Sequence, residues 1–166
     1  LSRAQLREES VVADIAQVLR ANGMEAVQLQ LEITESLAAQ DSLVQAKLRD
    51  IKALGVTLAL DDFGTGYSSL SCLHELPIDT VKIDRAFVSV AQHSAYHRVL
   101  IEATILMAET LGMGTVAEGI ETQDQADLMH TLRCGKGQGY LFSKPMTAGE
   151  FVNWAEGRNA FKHDRT

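Results

Sequence analysis

Apolar and polar positions alternate along several short stretches of the chain, and between these stretches the apolar positions recur at helical spacing. VQLQLEIT (27–34), VTLALDD (56–62) and DTVKID (79–84) alternate with period two, as a strand with one buried face does. GTVAEGI (114–120) and QGYLF (138–142) do so less cleanly. Helices are predicted from about Val11 to Arg20 and from about Ser42 to Leu54. The second carries Val44, Leu48 and Ile51 at i, i+4 and i+7, with Gly55 as its stop. A short helix with Leu70, Leu73 and Leu76 is ended by Pro77. A long one from about Ala95 to Leu111 is apolar on most faces and is expected to be well buried. Thr122 with Gln125, and Thr147 with Glu150, have capping-box spacing and open the last two helices. These elements form one domain over 1–156, followed by a polar tail at 157–166 that is expected to fray.

Strands that alternate with helices imply an α/β fold with a parallel sheet. The order fits a TIM-like (β/α) barrel, but five strands are fewer than the eight of a full barrel of about 250 residues. The expected architecture is therefore an incomplete barrel without its N-terminal strands.

Parity sorts the strand residues into two faces. Leu29, Leu31 and Ile33, then Leu58 and Leu60, then Val81 and Ile83, form sets that should face the helices. The opposite parity carries Gln30, Glu32 and Thr34, then Thr57, Ala59 and Asp61, then Thr80, Lys82 and Asp84. Asp62 follows as its strand ends, Glu118 ends the fourth strand and Gln138 opens or precedes the fifth. Acidic residues thus gather at the C-terminal ends of strands, where barrel active sites lie. Oxygen donors without His or Cys suit a hard ion, Mg²⁺ or Mn²⁺.

Other readings of single residues stay open. An Asp after a strand often caps a helix or serves a turn. GTGYSS (64–69) could cradle a phosphate or form a glycine turn leading to a Ser cap. Glu121 could cap a helix or hydrogen-bond within the site. Arg85 reads as a surface or interface residue, His93 and His97 as a solvated pair, and Tyr140 and Phe142 as packing residues.

Composition narrows the function. The chain has 166 residues, 46% hydrophobic, which is enough for a real core. A net charge of −7 argues against a nucleic-acid polymer or an anionic membrane as partner, because both need a basic surface. A phosphate substrate remains accessible if metal ions mediate the contact. Cys72 and Cys134 fit no zinc spacing and read as free thiols of a reducing compartment. With no apolar run of membrane-spanning length and no signal peptide in LSRAQLREES, a cytoplasmic location is expected, although an anchor elsewhere in a parent protein is compatible with it.

LEITES, LALDDFGTGYSSLSCLHELPIDTVKIDRAFV, VAEGIET and QGYLFSKP, in this order from Leu1 to about Trp154, resemble the EAL domain family of cyclic-di-GMP phosphodiesterases. The resemblance implies a TIM-like barrel that linearises cyclic-di-GMP to pGpG with Mg²⁺ or Mn²⁺, as two ions. It implies metal ligands at Glu32, Asp61 (bridging), Asp62, Asp84 and Glu118, and a lysine, Lys82, that orients the attacking water. Glu35 would hold a neighbouring loop, and Glu121 and Gln138 would line the site. Gly135 stands where the family commonly has Asp. The resemblance also places a metal-binding Glu and an Asn ligand upstream of Leu1. A chain beginning there is expected to be weak or inactive alone, and to associate with another copy or a regulatory domain. Without catalysis, the alternatives are a cyclic-di-GMP-binding module or a protein-interaction module.

Overall fold

The computed structural model describes residues 1–34, 37, 42–64, 73, 74 and 76–163. Strands β1 (Gln30–Thr34), β2 (Thr57–Phe63), β3 (Thr80–Ile83), β4 (Gly114–Ala117) and β5 (Lys136–Gly137) form one sheet in chain order, and every pairing is parallel. Helices α1 (Arg3–Arg7) and α2 (Val11–Ala21) precede the sheet. Helix α3 (Ser42–Ala53) crosses from β1 to β2, and α4 (Arg85–Val90) with α5 (Ala95–Thr110) cross from β3 to β4. Helix α6 (Gln123–Thr131) leads to β5, and α7 (Ala148–His163) follows it. Among the described residues the sheet is open, with β1 and β5 at its edges.

The predicted helix-facing parity forms the core. Ile33, Leu58, Leu60 and Val81 pack with Val44, Leu48 and Ile51 of α3, all at most 1% exposed. Burying each such side chain contributes about 1.5–3 kcal/mol. Ile83 and Ala117 make a second cluster with Val88, Ile101, Ile105 and Met129.

The helix starts follow from local side-chain chemistry. Thr122 and Gln125 form the expected capping box of α6, and Thr147 accepts from the Glu150 N–H at the start of α7. A third box, Ser2 with Gln5, opens α1; its S-x-x-Q spacing is readable in the sequence but had no predicted helix attached to it.

Several expectations are corrected. Residues 26–28 form a 3-10 turn, so β1 begins at Gln30 rather than at 27. The strand expected at 138–142 lies instead at Lys136–Gly137. A Cβ on Gly139 would stand 2.1 Å from the Ile120 carbonyl oxygen, so the chain there presses against the 118–121 segment and turns, with the Phe142 N–H donating to Gly139. Tyr140 is 58% exposed, not packed. Helix α5 buries only the stripe Ile101, Thr104, Ile105 and Ala108 and exposes Tyr96, Val99 and Leu106. His97 is half-buried, 2.7 Å from Ser94 Oγ through Nδ1 and edge-on to Phe87 and Tyr96, so it does not form a solvated pair with His93. Helix α7 continues past Gly157 to His163, where a frayed tail was expected. The predicted 70–76 helix lies largely outside the described residues, as do Cys72, Glu35 and GTGYSS beyond Gly64.

Candidate active site

Period-two geometry puts Glu32 of β1, Asp61 of β2 and Lys82 of β3 on one face of the sheet, opposite the core. Glu118, directly after β4, joins them. The Lys82 ammonium stands 2.7 Å from Glu32 Oε1, 3.0 Å from Asp61 Oδ1 and 2.7 Å from Glu118 Oε1. The lysine side chain is 7% exposed, whereas Glu32 is 49% exposed, so the cluster opens to solvent on the β1 side. Burial alone would lower the Lys82 pKa. Hydrogen bonds to Glu118 and Glu32, together with the ion pair to Asp61, outweigh it and hold the ammonium above its ordinary range.

The sheet register explains how two adjacent aspartates reach one site. Leu60 lies opposite Val81 but Phe63 lies opposite Ile83, so Asp61 and Asp62 together face the single residue Lys82. This is a β-bulge, and Asp62 takes the left-handed conformation, φ 57°, that Asp tolerates better than most side chains. Strict alternation would have sent Asp62 to the helix side. Instead its carboxyl feels Asp61, Asp84, Lys82 and Glu32. Burial first, then repulsion by Asp61 and Asp84, raises its pKa against the opposing pull of Lys82.

The other candidates take up distinct places. Asp84 caps α4, its Oδ1 accepting from the Ala86 N–H at 2.8 Å, so one of its oxygens has a structural partner. Glu121 divides its roles. Its backbone N–H donates to Gln125 Oε1 in the α6 cap, and its carboxylate pairs with Arg85 Nη2 at 3.1 Å. Arg85, read from sequence as a surface or interface residue, is therefore tied to the segment that carries Glu118. Gln138 is exposed just beyond β5 and lines a cleft of about 550 Å³ together with Tyr140, Lys144, Phe151 and Trp154. Glu35 lies outside the described residues.

The donor set suits a hard divalent cation in chemistry. It is all oxygen, its carboxylates outnumber the one ammonium, and Asp61 Oδ1 is buried without a well-aligned hydrogen bond despite its 3.0 Å ion pair. Among the described residues no three such side chains are already grouped around a common cation position. Lys82 occupies the middle of the cluster.

Comparison with known proteins bears on the fold and the family. MucR of Pseudomonas aeruginosa, a bifunctional diguanylate cyclase/cyclic di-GMP phosphodiesterase, is 37% identical over 155 residues, covering 92% of this chain and 22% of MucR. The chain spans about a fifth of the length of the first curated relatives it matches. The PaMucR phosphodiesterase in complex with c-di-GMP superposes with a TM-score of 0.86 at 36% identity, covering 91% of this chain and 62% of that one. The EAL domain of Mycobacterium smegmatis DcpA gives 0.87 at 38% identity over 95% and 71%. The manganese/cy-diGMP complex of Klebsiella pneumoniae BlrP1 gives 0.81 at 30% identity over 85% and 36%. The strand order, the α/β architecture and an EAL domain model that matches residues 1–145 lead to one conclusion: the chain belongs to the EAL domain family.

Proposed function

We propose that the C-terminal end of this sheet hydrolyses cyclic-di-GMP to linear pGpG with Mg²⁺ or Mn²⁺, as two ions. The observation that carries the reading is the buried Lys82 ammonium ringed by Glu32, Asp61 and Glu118, with Asp62 and Asp84 adding charge it does not balance. The PaMucR and BlrP1 complexes with the same nucleotide support it, the latter with manganese.

Water attacks one phosphorus and gives up a proton, a new P–O bond forms, and the bond to the 3′ oxygen breaks; that oxygen takes up a proton and leaves as the 3′ hydroxyl, which opens the ring and leaves a 5′ phosphate. Glu32, Asp61, Asp62, Asp84 and Glu118 would hold the ions. When bound, such ions acidify water and neutralise phosphoryl charge. Lys82 keeps its proton, and an N–H released from one of its three carboxylates would donate to the attacking water and restrict the water's direction of approach; positioning and charge neutralisation are what phosphoryl transfer chiefly needs. Glu121 and Gln138 line the substrate side.

The test is incubation of the intact protein with cyclic-di-GMP and Mg²⁺ or Mn²⁺, with products separated by anion exchange. Linear pGpG is expected, and EDTA should abolish it. Nucleotide binding without any product would replace this reading with that of a binding module.

A further inference from the structure

Two turns that carry site carboxylates are each pressed by a side chain of the same short helix. Gly64, φ 99°, follows the Asp61–Asp62 bulge, and a Cβ there would stand 2.9 Å from Phe87 Cζ. Gly119, φ 66°, follows Glu118, and a Cβ there would stand 2.3 Å from Arg85 Cγ. Both glycines supply the left-handed backbone and the close approach that other residues resist. Arg85 and Phe87 belong to α4, which begins three residues after Lys82 and is capped by Asp84. Arg85 also pairs with Glu121 beyond the second turn. On its far side Phe87 meets the His97 ring at 5.5 Å, and His97 is fixed by Ser94, the cap of α5.

We infer that α4 is a brace: Phe87 and Arg85 are positioning residues that set the separation of the Asp61–Asp62 turn from the Glu118 turn around Lys82. Neither side chain enters the reaction. The cluster needs carboxylates from separate strands within hydrogen-bond distance of one ammonium, and misplacement by about 1 Å can cost a hundredfold in rate. Sheet pairing alone does not supply that accuracy. Glu118 follows the last paired residue of β4, with its backbone N–H on the Ile83 carbonyl but its side chain past the ladder, and Asp62 lies in the bulge where the β2–β3 register slips.

The catalytic part of this inference rests on the phosphodiesterase reading, so the test has an arm that does not. In the intact protein, Arg85→Ala should raise amide hydrogen exchange at least tenfold at Glu118 and Ile120, whose N–H groups donate to Ile83 and Gln138 carbonyls. Exchange at Leu58, bonded to Asp79 at the opposite end of the sheet, should not change. Unchanged exchange at Glu118 and Ile120, or an equal rise at Leu58, overturns the brace whether or not the protein is an enzyme. In the hydrolysis assay, Arg85→Ala and Phe87→Ala should lower kcat tenfold or more with KM within threefold. Arg85→Met, which keeps the stem over Gly119, and Phe87→Leu should each recover part of the loss. Wild-type kcat in both alanine variants overturns the inference. An inactive wild type with the local exchange response leaves the brace standing and removes the phosphodiesterase reading instead.

Discussion

Two lysine–carboxylate clusters stand at opposite ends of the same sheet, and they differ in balance. At the N-terminal end Lys52 meets Asp79 with both carboxylate oxygens 2.6 Å from Nζ. Asp79 Oδ2 also accepts from the Leu58 N–H at 2.8 Å, and the Asp79 N–H donates back to the Leu58 carbonyl. One cation meets one anion, and the lone pairs are used. At the C-terminal end one lysine meets three carboxylates with two more close by, and a buried Asp61 oxygen has no aligned donor. The first arrangement is complete and staples the start of the strands. The second has donor capacity and negative charge left over, as a cation site requires.

The sharpest way to break this contrast is Asp61→Asn. It keeps shape but removes the charge at the proposed bridging position. Turnover in the intact protein should fall at least about a thousandfold, about 4 kcal/mol of barrier, with an unchanged circular-dichroism spectrum. A fall of less than about tenfold would mean that Asp61 bridges no ions.

Lys82→Met comes next. It leaves the three carboxylates facing one another, and urea unfolding should show a loss of about 2–3 kcal/mol, less than the 3–5 of fully buried pairs because Glu32 is half exposed. Saturating Mn²⁺ should restore part of that stability by binding the folded form. Stability that ignores both the substitution and the ion would show that the charges there are already balanced.

At the complete end, Asp79→Asn should cost about 1–2 kcal/mol in the same unfolding assay, because the pair is about one-third exposed and solvent screens it. Turnover should stay within about threefold, below the roughly 1.4 kcal/mol of a tenfold change. A large loss of activity here would erase the distinction between the two ends.

The C-terminal half of this contrast was legible in the sequence; the Lys52–Asp79 pair, made between a helix end and a strand start, was not. Period-two parity put Glu32, Asp61 and Lys82 on one face because side-chain direction in a strand follows from the backbone alone. The core sets Leu58 and Leu60, and Val81 and Ile83, are readable for the same reason. The bulge was not legible. Its cause is a register slip between two strands, and no local pattern around Asp61 and Asp62 announces which of them breaks alternation. The fifth strand was misplaced because Tyr140 and Phe142 mimic alternation inside a turn, whereas the pairing residues, Lys136 and Gly137, have no strand propensity. Arg85 looked unremarkable because its partners, Gly119 and Glu121, lie more than thirty residues away in the chain.

If the C-terminal cluster works through divalent ions and the N-terminal one does not, hydrolysis must follow the ion supplied. Cyclic-di-GMP hydrolysis by the intact protein, measured against ion concentration for Mg²⁺, Mn²⁺ and Ca²⁺ after EDTA treatment, tests it most directly. No pGpG is expected without an ion, and saturable turnover is expected with Mg²⁺ and Mn²⁺. With Ca²⁺, which prefers looser and higher coordination, turnover should be at least about tenfold slower. Hydrolysis that persists in EDTA, or runs equally fast with Ca²⁺ and Mg²⁺, would contradict it.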